Sequence, residues 1–271
     1  MSAALRVPNE TSGRRTVEGF SAEDEERSAV DAGGIGEHSR RRPRRKDPTS
    51  RPHEVSLGIL IHAVETWGGR RILFVMAAPP EYGPELQSRI RPLMTGIGPI
   101  EAALETGIAL QGLADADGLP HLVVSLGSAG SRLLEQGRVY QASSVSWRDI
   151  DASPLGFTKG VTPLIDHPVA VPLATPLPGW PSARLSTGGN VVSGLGYDTI
   201  DADMVDMETF AVWRAAHRFG VPLLALRGIS DGAEELRHYG DWAALLPQLD
   251  RELALAIDAL RAGLEDGSLE F

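Results

Sequence analysis

The apolar positions of this chain follow two rhythms, and the order in which these alternate predicts its architecture. Arg71–Ala78 contains an unbroken apolar run (Ile72, Leu73, Phe74, Val75, Met76), the pattern of a strand buried on both faces. A second short strand passes through Leu93 and ends at Gly96-Ile97-Gly98, ahead of a helix over Pro99–Leu113. His121–Leu126 predicts a third strand, closing on Gly127-Ser128-Ala129-Gly130, and Gly137–Ser146 and Ala183–Val192 predict two more. Met207–Phe219 is expected to be helical, Val221–Leu226 a strand and Asp241–Leu264 a helix. That last segment aligns Trp242, Leu245, Leu246, Leu249, Leu253, Ile257, Leu260 and Leu264 along one face. Strands alternating with helices imply an α/β layered domain, here expected over about 54–271.

Residues 1–53 break this pattern. They combine an acidic cluster (Glu23, Asp24, Glu25, Glu26) with a basic run (Arg40, Arg41, Arg42, Arg44, Arg45, Lys46) interrupted by Pro43 and Pro48. So few large apolar residues cannot offset the entropy of ordering, and a disordered charged tail is expected, without the apolar stretch of a secretory signal. The formal net charge is −10. The acidic excess lies entirely in the remainder, which argues against nucleic acid as a partner of the folded part. No apolar run is long enough to span a bilayer. The chain has no cysteine, which excludes disulfides and thiol chemistry and fits a cytoplasmic setting. Its seven histidines show no paired helical spacing, so neither a metal nor a cofactor is expected.

In open α/β sheets ligands gather at the carboxyl ends of strands. Four such ends here carry small or polar residues: Pro79-Pro80-Glu81, Gly96-Ile97-Gly98, Gly127-Ser128-Ala129-Gly130 and Arg227-Gly228-Ile229-Ser230-Asp231. Taken singly each has a plain reading. Gly96 and Gly98 lack the rest of a dinucleotide fingerprint, Ser128 lacks the spacing of a nucleophile elbow, and Asp231 could be a helix cap. Together with Thr95, Asp149-Ile150-Asp151 and Val205-Asp206-Met207-Glu208, in this order, they resemble the 5′-methylthioadenosine/S-adenosylhomocysteine nucleosidases of the nucleoside phosphorylase superfamily. The resemblance runs from about Arg71 to Leu260.

That resemblance implies a three-layer fold with a central mixed, twisted β-sheet flanked by helices, and a homodimer acting on a small nucleoside. It implies Asp231 as the acid that protonates the departing purine and Glu81 as the base that activates water. Glu208 would accept both ribose hydroxyls, with Met207 packed beside the sugar. Ser128 would support the Asp231 loop or bond near the base, Val191 and Val192 would flank the purine, and Ile97, Arg227 and Ser230 would complete the substrate-binding set. Phosphorylases of the superfamily place an Arg just before the third-strand glycine motif; here the stretch is Ser125-Leu126-Gly127, so water is the expected nucleophile. Departures from the pattern are Asp206 for a glutamate, Pro79-Pro80 for an acidic run, Val191 for an aromatic residue, and a short connection from Asn190 to Asp206. They leave open a phosphorylase, a hydrolase of another nucleoside such as AMP or a futalosine-like compound, or a non-catalytic nucleoside binder.

Overall fold

The computed structural model describes residues 64–116, 118–232, 234–269 and 271. The expected disordered segment 1–53 and the start of the domain near residue 54 lie outside the described residues.

The first two strands, β1 (Val64–Trp67) and β2 (Arg70–Met76), form an antiparallel hairpin closed by Gly68-Gly69. Both glycines have positive φ, as a two-residue hairpin of this type requires. At Gly68 a Cβ would also collide with the main-chain carbonyl of Leu264. After β2 come a 3₁₀ turn (Pro79–Glu81), α1 (Pro84–Gln87), β3 (Leu93–Met94) and α2 (Pro99–Ala116). Next are β4 (Leu122–Gly130), β5 (Val139–Trp147), β6 (Ala170–Pro172), β7 (Ser182–Thr187) and β8 (Met204–Asp206). The chain ends with α3 (Thr209–Arg218), β9 (Leu223–Asp231), α4 (Tyr239–Ala243) and α5 (Leu246–Glu265).

All nine strands belong to one mixed sheet. Parallel pairing runs β3–β2–β4–β9, and β9 then pairs antiparallel with β5. From β5 the sheet continues in parallel to β7 and β8, and Val205 of β8 meets Gly130 of β4, closing a small barrel. The alternation along β2 shows how its two faces are used. Leu73 and Val75 face a core completed by Ala109 and Leu110 of α2 and by Val212 and Ala216 of α3. Ile72, Phe74 and Met76 face the opposite core, completed by Leu253, Ile257, Leu260 and Leu264 of α5. The architecture is therefore the expected three-layer α/β arrangement.

Several boundaries differ from expectation. Strands β4 and β9 do not stop at Leu126 and Leu226 but remain paired through Gly130 and Asp231. The small-residue motifs are thus strand, held on their other sides by β8 and β5. The strand expected to reach Val192 ends at Thr187, where Gly188 and Gly189 turn the chain over the Arg148 and Asp149 side chains. The helix expected from Met207 begins at Thr209, which leaves Met207 and Glu208 in the turn before it. The final helix is divided: Pro247 near the start of α5 has no N–H to continue a preceding helix, so α4 forms separately and carries Trp242 off the α5 face.

The turn bearing Glu81 is secured from α5. Buried Asp250 accepts hydrogen bonds from the amides of Glu85 and Leu86 at 2.9 and 3.0 Å, which caps α1. Asp250→Ala strands both donors in the interior and should lower unfolding stability by about 2 kcal/mol, read as a lower urea midpoint with an unchanged slope.

Candidate active site

The carboxyl ends of β2, β4 and β9, the β8–α3 turn and the loop after β7 converge on a cavity of about 480 Å³. This is ample for a small organic ligand. Its acidic lining residues are Glu81, Glu208 and Asp231, with the ion-paired Asp206 behind them.

Glu81 comes from the 3₁₀ turn after β2, where Pro79 and Pro80 start the turn and the Glu81 amide bonds the Ala78 carbonyl at 3.0 Å. Its Oε1 accepts the amide of Ser128 at 2.8 Å and the Ser128 hydroxyl at 2.6 Å. The indole N–H of Trp242 donates to the same hydroxyl at 2.9 Å. A side chain at Gly127 would press on both Glu81 oxygens, so glycine is what admits the carboxylate there. Burial pushes the Glu81 pKa up, while the two Ser128 donors and the nearby Arg227 charge oppose the rise.

Asp231 ends β9. Its Oδ1 accepts a short hydrogen bond from the hydroxyl of buried Ser230, and its Oδ2 borders the space left by the missing side chain of Gly130. Burial raises the Asp231 pKa, and the Ser230 bond opposes the rise. Glu208 sits before the first turn of α3, and its Oε1 accepts the amide of Gly98 at 2.9 Å. Burial first, and then the neighbouring negative charge of Asp206, push its carboxyl up to about 7.

Beneath these groups lies a buried ion pair. The Arg227 Nη2 and Asp206 Oδ2 are 3.0 Å apart, with side chains only 2% and 1% exposed. Arg227 also donates to the hydroxyls of Ser125 and Thr209 at 2.9 and 2.6 Å. Asp206 in turn accepts from Thr187 at 2.6 Å, and from both the amide and the hydroxyl of Thr209.

Seven of the residues named from sequence alone for substrate or catalysis therefore share one wall with Asp231: Glu81, Ile97, Ser128, Val191, Val192, Met207 and Glu208 all line the cavity. Arg227 does not. Its guanidinium is consumed by Asp206, Ser125 and Thr209, so it braces the site instead of touching its contents. Ser230 lies behind Asp231 and orients it. Ser128 bonds Glu81, not the Asp231 loop. Val191 is exposed and Val192 buried, both in a loop where a strand was expected.

Other contributors escaped the sequence reading. Arg148, just past β5, donates to the carbonyls of Ser186, Asp206 and Asn190 at 2.7, 3.0 and 2.7 Å, tying the 188–190 loop to the cavity floor. Asp149, whose Asp149-Ile150-Asp151 motif the sequence did bring forward, accepts the Gly189 amide in the same loop. Tyr239 and Trp242 of α4 add an aromatic edge, their rings 5.2 Å apart in a T-shaped pair. A charged residue immediately after a strand was a signal for Arg148; nothing local distinguished Trp242 from a core position of the final helix.

Residues 191–260 match the family model of the Phosphorylase superfamily. The chain is 29% identical over 187 residues to a 5′-methylthioadenosine/S-adenosylhomocysteine nucleosidase of Glaesserella parasuis, an alignment covering 61% of this chain and 78% of that protein. Among solved structures it is similar to such a nucleosidase from Colwellia psychrerythraea in complex with adenine (TM-score 0.60, 19% identity, 74% of this chain and 97% of that one). It is also similar to the futalosine hydrolase of Helicobacter pylori (TM-score 0.56, 20% identity, 73% and 97%). Family model, curated relative and fold point the same way: the chain carries a stretch that matches the Phosphorylase superfamily, and it resembles the 5′-methylthioadenosine/S-adenosylhomocysteine nucleosidases in sequence and fold.

Proposed function

We propose that the cavity binds a 5′-substituted adenine nucleoside and hydrolyses its N-glycosidic bond. The observation that carries this reading is the convergence of two buried carboxylates and one half-buried one, whose hydrogen-bond environments suit three different tasks. Asp231, desolvated and bonded only through Ser230, favours the neutral acid that a departing purine needs. Glu81 receives two donors from Ser128 and the field of Arg227, which favour the anion that a base for water needs. Glu208 offers a free oxygen to the ribose hydroxyls, beside Met207.

In this scheme Asp231 protonates the purine as the glycosidic electron pair moves to it. The sugar develops oxocarbenium character, and Glu81 takes a proton from the attacking water. Water is favoured over phosphate because the buried Arg227 guanidinium beneath the carboxylates is already engaged by Asp206 and hydroxyls. Purified protein given methylthioadenosine in phosphate-free buffer should release free adenine and free sugar; a strict phosphate requirement would refute hydrolysis. Futalosine belongs in the same assay, because the aliphatic Val191 leaves the base wall without a stacking ring on that side.

Asp231→Asn keeps the shape but carries no acidic proton. Its kcat on the adenine nucleoside should fall about a thousandfold with KM little changed. Full retention of kcat would remove Asp231 from the acid role.

The protein acts as a homodimer in this reading. What supports that is an exposed apolar stripe on α2 (Ile100, Leu104, Ile108) that begins at Ile97 on the cavity rim. Leu104→Glu should convert a dimer to monomer in light scattering after size exclusion; a wild-type protein that is already monomeric at micromolar concentration would contradict it.

A further inference from the structure

The segment Gly194–Thr199 winds as a 3₁₀ turn and delivers Tyr197 to the back of the site. Tyr197 is 8% exposed, and its ring packs with Val192, Val205 and Ile200. The Arg132 guanidinium lies over that ring at 5.3 Å and is itself anchored by Asp198. Despite this secure placement, the Tyr197 hydroxyl is buried with no hydrogen-bond partner among the described residues. An unsatisfied buried hydroxyl is costly, so its surroundings call for an explanation.

Those surroundings are specific. The hydroxyl and Asp231 Oδ2 border the same point, the place a Cβ on Gly130 would occupy, at 2.3 and 2.9 Å from it respectively. Oδ1 of Asp231 is already held by Ser230, so Oδ2 is the oxygen left for exchange of the proton. Tyr197 does not line the cavity, and its effect on a ligand must pass through Asp231.

We propose that Tyr197 is a positioning residue for Asp231: once the acid has given its proton to the leaving base, the phenol O–H turns to donate to Oδ2 of the carboxylate. The proton balance is simple. The Asp231 proton leaves with the base, the phenol keeps its own, and the new hydrogen bond takes up the charge created on Oδ2. Burial raises the Tyr197 pKa, so the group stays a neutral donor throughout. The inference rests on the acid role assigned to Asp231, but the interaction exists in the free protein whenever Asp231 ionises.

The test is therefore a titration of the unliganded full-length protein. Carboxyl ¹³C shifts of labelled aspartates, with Asp231→Asn for assignment, give the Asp231 midpoint. Tyr197→Phe keeps the ring and its packing but removes the donor to the anion, so the Asp231 midpoint should rise by about one pH unit. Arg132, Arg148 and Asp198 around the phenol, and Glu81, Arg237 and His238 around the cavity, are common to both proteins and cancel in the difference. Replacing tyrosine with 3-fluorotyrosine makes the phenol a stronger donor and should move the midpoint the other way, a check that does not depend on the Phe variant folding. With nucleoside substrate, the alkaline limb of kcat should rise with the midpoint in Tyr197→Phe while kcat itself falls about tenfold. An Asp231 midpoint that neither substitution moves overturns the inference. A moved midpoint in a protein that cleaves no nucleoside sustains it and overturns the proposed function instead.

Discussion

The buried pair between Arg227 and Asp206 is the constraint on which the site depends. Two charges have been taken almost wholly out of water, an arrangement that persists only when every remaining donor and lone pair finds a partner. Here the partners are present: the Ser125 and Thr209 hydroxyls and the Leu226 carbonyl take up the rest of the guanidinium, and Thr187 and the Thr209 amide take up the carboxylate. The five elements so joined are β4, β7, β8, the start of α3 and β9, the pair itself spanning β8 to β9. Removing one partner alone would leave a buried charge, at a cost of about 3–5 kcal/mol. The pair therefore specifies how the barrel strands register with the turn that carries Met207 and Glu208.

Its electrostatic consequences reach each carboxylate differently. Asp206 is adjacent to Glu208 and raises its pKa, whereas Arg227 lowers the pKa of both Glu208 and Glu81. Asp231 receives no comparable charge and is governed by burial and Ser230. Burial pushes all three carboxyl groups up, and they differ in the charges and donors that oppose the rise.

Much of this was legible in the chain. The apolar run in β2 and the α5 stripe declared the two faces of the sheet, and the motifs ending in Glu81, Ser128 and Asp231 marked the right strand ends. What was not legible depends on non-local pairing. Nothing in Gly127–Gly130 or Arg227–Asp231 tells that these residues stay in strand, because the partners that keep them there, Val205 and Val139, lie far along the chain. Arg227 read as a ligand for substrate because a strand-end arginine beside an aspartate looks the same whether it points into a cavity or into Asp206. Trp242 was assigned to a continuous helix because a helical period runs through Pro247, and only the missing proline N–H divides it.

The glycines of β4 show how the two halves of the site became compatible. A strand interior normally loses stability at glycine, yet Gly127 and Gly130 stand where the Glu81 carboxylate, and the Asp231 carboxylate with the Tyr197 phenol, press against the backbone. A Cβ at Gly130 would overlap the Tyr197 hydroxyl and the Asp231 carboxylate, and one at Gly127 would crowd the Glu81 oxygens. The strand accepts weaker intrinsic propensity because β9 on one side and β8 on the other supply its hydrogen bonds. Barrel closure thus provides the rigidity that lets glycines sit at the centre of the sheet, and the space that Gly130 leaves is what brings the Asp231 carboxylate and the buried Tyr197 phenol to a common point.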